Sequence, residues 1–285
     1  MEIKSPAKIN LFLEVIGKRP DGYHNLNTLM CCIALYDTIQ LTFGQKKISV
    51  HCTHPDVPDD ETNLAWRAAR LFFDTTRICK GVRIDIKKKI PIGAGLGGGS
   101  SNAAAVLKGL NSFYGSPVSN KDLMAAGKSI GADVPFFIYG KPARATGIGD
   151  ILTPCDCIKS CPILVIYPSI PVSTAKVYKK LNLRLTKNKK INTQFLFKLN
   201  LGQDAVKQLF NDLELAASEI CPEIQEAKTS LLAHNASVAL ITGSGSAVFG
   251  LYDNIENAKK AYTAISQYIL SKNRTWQLYL SHLAI

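Results

Sequence analysis

Five glycines fall within seven residues, at Gly93, Gly95, Gly97, Gly98 and Gly99, inside the stretch Pro91-Ile-Gly-Ala-Gly-Leu-Gly-Gly-Gly-Ser-Ser-Asn102. A backbone of this kind carries little side-chain bulk and has free access to positive φ. Ser100, Ser101 and Asn102 then offer hydroxyls and a cap where Ala103–Leu110 reads as the start of a helix. The N-terminus of a helix has unpaired N–H groups and partial positive charge, so a bare loop feeding into one suits a polyphosphate. A tight strand-to-helix turn without a ligand needs only one or two glycines.

The common phosphate loops do not fit. A Walker A loop ends in Gly-Lys-Ser/Thr, and no lysine follows Gly99. Gly93, Gly95 and Gly98 satisfy the dinucleotide pattern literally, but an acid should then end the next strand, and the region around Asp122 reads as helix. Neither His-Arg-Asp nor Asp-Phe-Gly occurs, which removes the protein kinases.

Phosphoryl transfer also needs positive charge on the phosphates and a group that takes the acceptor's proton. Lys8 lies in an apolar strand as Ala7-Lys-Ile-Asn10 and can supply the charge. Asp133, in Gly131-Ala-Asp-Val-Pro135, can accept a hydroxyl proton, with a neighbouring Lys8 to orient it. Taken singly, Lys8 also fits a snorkelling strand residue and Asp133 a turn carboxylate. Thr242-Gly-Ser-Gly-Ser-Ala247 forms a second glycine loop between two short apolar runs.

The elements that must position these residues follow from the apolar period. Residues 2–17 alternate as a strand, with Pro6 as a bulge or kink, and 18–22 is turn chemistry. Further strands are expected at 28–43, 47–52, 82–90, 163–167, 238–241, 248–251 and 276–280. Helices are expected at 64–73, from a capping box at Ser119 to near Gly131, at 173–181, over 203–234 with Pro222 in a first turn, and at 255–270. Strands and helices interleave without regular βαβ order, which argues for α+β. Pro154–Pro162 reads as a domain joint, and 182–202 as a polar, basic surface excursion.

Composition bounds the rest. A chain of 285 residues, 46% hydrophobic and 20% charged, can bury a full core and suggests two domains of about 130–150 residues. The apolar run at 161–172 is broken by three prolines, and no segment reaches the roughly 20 residues of a membrane span. With no signal-peptide pattern at Met1–Pro6, a cytoplasmic protein is expected. The eight cysteines are scattered, and Cys155, Cys157 and Cys161 lack metal spacing, as do His51, Cys52 and His54, so no protein metal site is expected. The net charge of +12 is not interleaved with aromatics as in nucleic-acid modules, so no nucleic-acid or membrane partner is expected. A diffuse positive field that steers anionic small molecules accounts for it as well.

The motif set resembles that of the GHMP small-molecule kinases. Pro6-Ala-Lys-Ile-Asn-Leu-Phe-Leu13, Asp21-Gly-Tyr-His24, Pro91–Asn102, Gly131-Ala-Asp-Val-Pro-Phe136 and Thr242-Gly-Ser-Gly-Ser-Ala-Val-Phe249 run in order from near residue 5 to near residue 250. The resemblance implies a two-domain α+β fold, with an N-terminal ribosomal-protein-S5-like ATP-binding domain at 1–155 and a C-terminal ferredoxin-like α/β sandwich at 156–285. It also implies an active site in the cleft between them, and a monomer or weak homodimer is expected. Ala-Lys-Ile-Asn followed by Asp-Gly-Tyr-His points within the superfamily to members that phosphorylate the 2-hydroxyl of 4-diphosphocytidyl-2-C-methyl-D-erythritol, in the non-mevalonate isoprenoid pathway. By this resemblance Lys8 and Asp133 are the catalytic pair, with Asp133 the base. Pro91, Ile92, Gly93, Ala94, Gly95, Leu96, Gly97, Gly98, Gly99, Ser100 and Ser101 wrap the ATP phosphates, and Asn63 contacts adenine. Tyr23 and His24 read cytosine with Tyr178 as a second ring, Asn10 lies near the reacting hydroxyl, and Gly243 and Ser244 line the substrate's diphosphate. The chain has no Glu between Glu61 and Glu214 to hold Mg²⁺, unlike some superfamily members, which leaves Ser100 or Ser101, Asp133, or mainly ATP and water, and Mg²⁺ is expected to be carried by ATP. Another GHMP kinase, acting on homoserine, a mevalonate derivative or a sugar, and a non-catalytic nucleotide- or RNA-binding protein are the rival readings.

Overall fold

The computed structural model describes residues 1–156, 158–181 and 208–285. The expected excursion at 182–202, Cys157, and the beginning of the helical stretch at 203–234 lie outside the described residues. Two compact units interleave along the chain: Met1–Ala7, Leu35–Ile90 and Gly97–Gly140 form the first, and Lys8–Ala34, Pro91–Leu96 and Lys141–Ile285 the second. The long strands β1 (Glu2–Lys18) and β2 (His24–Gln45) contribute to both.

In the first unit, the latter part of β2 pairs antiparallel with β4 (Gly81–Lys87), which pairs in parallel with β3 (Ser49–Cys52). Here β2 alternates: Leu35, Asp37, Ile39 and Leu41 are buried while Tyr36 and Thr38 are only half-buried. Four helices complete this unit: α1 (Leu64–Thr76), α2 (Gly98–Phe113), α3 (Asn120–Gly127) and α4 (Val134–Tyr139). The buried face of α1, formed by Ala65, Ala68, Ala69, Phe72 and Phe73, has the three- and four-residue spacing that puts side chains on one side. The small residues Ala103, Ala104 and Ala105 let α2 pack closely, and α1 lies against it.

The second unit takes the beginning of β2 into a ladder with β5 (Ala143–Gly147), which turns into β6 (Ile151–Pro154). The strands β7 (Pro162–Tyr167), β8 (Val238–Ile241), β9 (Val248–Leu251) and β10 (Gln277–Ala284) form an antiparallel sheet in the order β10-β7-β9-β8. At its end β10 also reaches β2, with Leu283 opposite Ile33. Helices α7 (Glu223–Ala233) and α8 (Ile255–Ser271) pack on this sheet, joined by α5 (Thr174–Lys180) and α6 (Glu214–Ile220). Their core holds Leu164, Ile166, Leu231, Ile241, Val248, Tyr252 and Ile265.

The mixed α+β architecture and most strands follow the apolar period. The described part of 203–234 is two helices, with Pro222 at φ −59° opening α7 where its missing N–H is not needed. One local expectation is corrected. The helix after the glycine loop begins earlier than expected: Gly97 is its cap, in left-handed conformation, and no side chain caps it. Ser101 and Asn102 lie inside the first turns, their side chains drawn into buried hydrogen bonds with Ser5 and Asp37.

Candidate active site

The glycine loop is built by its carbonyls. In the second unit the C=O groups of five consecutive residues are all held by donors. Tyr167 Oη donates to Ile92 O at 3.0 Å. The N–H groups of Val172, Ala247 and Lys8 donate to Gly93, Ala94 and Leu96 at 3.1, 3.1 and 3.0 Å. Thr242 Oγ1 donates to Gly95 O at 3.3 Å. In a trans peptide the C=O of one residue and the N–H of the next point in opposite directions. The N–H groups of residues 93–97 therefore face away from these anchors. Gly93, Gly95 and Gly97 have φ of +65°, +78° and +72°, with ordinary residues between them. Alternation of this kind turns successive N–H groups toward one point, a nest for an anion. At Gly95 a Cβ would lie 2.1 Å from Thr242 O, so both conformation and space demand glycine there.

The same unit holds a buried polar cluster in the middle of β1. Lys8 and Asn10 are 4% and 3% exposed. Lys8 Nζ donates to Asn10 Oδ1 at 2.7 Å, and Gly243 N donates to the same oxygen at 2.9 Å. Asn10 Nδ2 donates to Thr28 Oγ1 at 2.9 Å, and Asn10 N to Thr242 Oγ1 at 3.1 Å. The hairpin loop between β8 and β9 is fixed from behind by Asn211, whose Nδ2 donates to Ile241 O and Gly243 O at 3.1 and 2.9 Å. Ser244 Oγ lies 2.8 Å from Thr174 Oγ1 at the start of α5, and Tyr178 from the same helix stacks on His24, with centroids 4.9 Å apart and planes 28° apart. Lys8, Asn10, Gly243, Ser244, Tyr178 and His24 are thus joined by one chain of contacts. Burial and the Lys18 charge hold His24 below its ordinary 6.5, which favours a neutral imidazole at pH 7. Tyr23 is 62% exposed, on the turn fixed by Asp21, and makes no part of that stack.

In the first unit the start of α2 gathers the remaining candidates. A Cβ on Gly99 would meet Leu64 Cδ1 at 3.3 Å, and one on Gly131 would meet Ser100 Oγ at 3.3 Å. The loop at Gly131–Asp133 and the beginning of α1 therefore flank Gly99 and Ser100. Asp133 is half-buried at the N-terminus of α4, where its side chain does not cap the helix. Asn63 does cap α1: its Oδ1 accepts from Ala65 N at 2.9 Å and its Nδ2 donates to Pro58 O at 2.8 Å.

Two family models match, GHMP kinases N terminal domain over residues 63–141 and GHMP kinases C terminal over 197–269. A 4-diphosphocytidyl-2-C-methyl-D-erythritol kinase from Geobacter metallireducens is 43% identical over 93% of this chain and 94% of its own. The chain belongs to the 4-diphosphocytidyl-2-C-methyl-D-erythritol kinase family of GHMP kinases. A relative of that name from another Geobacter species is 44% identical over 97% of this chain and 96% of its own. The crystal structure of a 4-(cytidine 5'-diphospho)-2C-methyl-D-erythritol kinase superposes with a TM-score of 0.83 at 33% identity and covers 100% of both chains.

Sequence reasoning about this GHMP kinase missed Thr28, Thr242 and Asn211 as supports of the site, and it missed Asp37 and Lys88 altogether. Asp37 is fully buried, and Lys88 Nζ makes an ion pair with its Oδ2. A signal was present: Asp37 occupies the inward register of Leu35, Ile39 and Leu41, where an acid needs a reason. The cysteines carry no such signal. Burial pushes the Cys161 and Cys221 thiols up to about 12 and about 11, well away from reactive thiolates.

Proposed function

We propose that this chain transfers the γ-phosphoryl group of ATP to the 2-hydroxyl of 4-diphosphocytidyl-2-C-methyl-D-erythritol, a step in the non-mevalonate route to isoprenoid precursors. The observation that carries the reading is the cluster in which Lys8, Asn10 and Gly243 meet while five loop carbonyls are anchored beside them, leaving the loop's N–H groups turned outward. The names of relatives at 40–44% identity supply the substrate.

In this reading the substrate's 2-hydroxyl oxygen forms a bond to the γ-phosphorus, and the bond from phosphorus to the β–γ bridging oxygen breaks. ADP leaves with the electron pair, and Asp133 takes the hydroxyl proton. Lys8 supplies charge to the transferring phosphoryl oxygens, and Asn10 fixes Lys8 and lies against the reacting hydroxyl. The loop from Pro91 to Ser101 binds the phosphates. With Oδ1 accepting from Ala65 N and one Nδ2 hydrogen donated to Pro58 O, a second lone pair on Asn63 Oδ1 and the second Nδ2 hydrogen remain for adenine. His24 and Tyr178 form one wall for cytosine with exposed Tyr23 folding over it, while Gly243 and Ser244 face the diphosphate.

Among the described residues, no group of three or more His, Cys, Asp or Glu could hold a metal ion, and Ser101 Oγ already bonds Ser5. Mg²⁺ would arrive with ATP and, when bound, neutralise phosphate charge. Among the described residues no helix is long and apolar enough to cross a membrane. The proposed setting is the cytoplasm, with the chain as a monomer or weak homodimer.

Asp133→Ala tests the assignment of the base. Transfer is expected to fall by about 10²–10⁴-fold, with ATP binding retained. Undiminished transfer would remove Asp133 from this role.

A further inference from the structure

We propose that Asp37 is a positioning residue that clamps the two ends of the phosphate loop together. The inference rests on the reading of Pro91–Ser101 as the ATP loop and adds the element that sets its span. Asp37 is 0% exposed in the middle of β2, at a register position where an aliphatic side chain would pack with Leu35, Ile39 and Leu41. A buried ion pair is a poor source of net stability, because desolvation offsets most of its attraction. What distinguishes this carboxylate is where its donors come from.

Oδ1 accepts from the N–H groups of Lys89 and Ile90, at 2.7 and 2.9 Å, the two residues that lead into the loop. Oδ2 accepts from Asn102 Nδ2 at 2.9 Å, on the first turns of α2 where the loop ends, and from Lys88 Nζ. Asn102 Nδ2 also donates to Ser5 Oγ at 3.0 Å, and Ser5 Oγ to Ser101 Oγ at 2.7 Å. One acceptor-only group therefore ties residues 88–90 directly to Asn102, and Ser5 extends the tie to Ser101. The glycine-rich segment between those points has few side chains of its own to hold its shape. A carboxylate is suited to this because it offers about four lone-pair sites and no donor. An asparagine at 37 could keep the strand-side bonds through its oxygen, but its NH₂ would then face the donors of Lys88 and Asn102.

The experiment is titration of ATP, in magnesium-containing buffer, onto the wild type and Asp37→Asn well below their melting temperatures, with the KM of each substrate measured alongside. Loss of a charge-assisted hydrogen bond on the helix side should weaken ATP binding by about tenfold or more, while the KM for the alcohol changes by less than about twofold. The exchange variant, Asp37→Asn with Asn102→Asp, returns a carboxylate between the same partners and should recover ATP affinity to within about threefold of wild type. Should Asp37→Asn not fold, Asn102→Ala keeps the Asp37–Lys88 pair and removes the strand-to-helix tie together with the bond to Ser5; it should weaken ATP several-fold. A lowered melting temperature with unchanged ATP affinity in the folded variants, or equal losses for both substrates, would overturn the clamp. A wild type that binds no ATP would overturn the reading beneath it, and this outcome is distinct from a wild type that binds and a variant that binds equally.

Discussion

Two buried polar hubs organise this molecule, and they differ in kind. Asp37 only accepts, and every one of its donors belongs to the shoulders of the glycine loop. Asn10 both accepts and donates: it takes bonds from Lys8 Nζ and Gly243 N and gives one to Thr28. A carboxylate hub fixes a frame because a charged acceptor binds its donors strongly. An amide hub is weaker and two-sided: one neutral oxygen orients Lys8 and the Gly243 N–H together. Burial alone therefore says little about a polar residue, whereas the elements its partners come from say what it holds together.

The contrast predicts the sharpest effect at Lys8. Lys8→Met should lower kcat by about 10²–10³-fold and leave the melting temperature within a few degrees, as expected where charge serves chemistry. A variant that loses stability but keeps its kcat would make Lys8 a frame residue like Lys88. Next comes Gly95→Ala, which puts a Cβ against Thr242 O at positive φ. Urea unfolding should show a loss of order 3 kcal/mol, together with weaker ATP binding, and a neutral effect would mean that the loop does not depend on its anchors. Tyr178→Leu removes the ring that stacks on His24 and should raise the KM of the alcohol by about tenfold, with the KM for ATP unchanged.

The smallest effect is that of pH on His24. Folding lowers its pKa, so the unfolded chain takes up the proton first. Its contribution to stability is fully present above about pH 6.5 and is lost as pH falls below that value. The KM of the alcohol should likewise stay level from pH 8 to about 6.5 and rise in more acid solution, while His24→Phe should flatten that rise. A profile that is unchanged in His24→Phe would take His24 out of the acceptor side.

Much of this was legible in the sequence where local rules decide. The alternation in β1 and β2, the Ser119 cap accepting from Asp122 N, and the hairpin between β8 and β9 all follow from spacing and turn chemistry. The motif residues were legible too, since glycine loops and a lysine in an apolar strand are unusual. What escaped depends on contacts between distant residues. The cap of α2 moved to Gly97 because Ser5 and Asp37, far earlier in the chain, claim the side chains of Ser101 and Asn102. Likewise no rule of spacing pairs Ile92 O with Tyr167 or Gly95 O with Thr242, although these bonds give the loop its orientation. Asn63 shows the converse, an expected adenine contact whose amide also caps its own helix.

Delivery of a phosphoryl group by the anchored loop to a diphosphocytidyl alcohol is measured by ADP release coupled to a reporter, with purified chain, ATP and 4-diphosphocytidyl-2-C-methyl-D-erythritol. One ADP should appear per alcohol consumed, with a product carrying one new phosphate on the 2-hydroxyl. No turnover with this alcohol, alongside turnover with homoserine, a mevalonate derivative or a sugar, would assign the loop to a different acceptor.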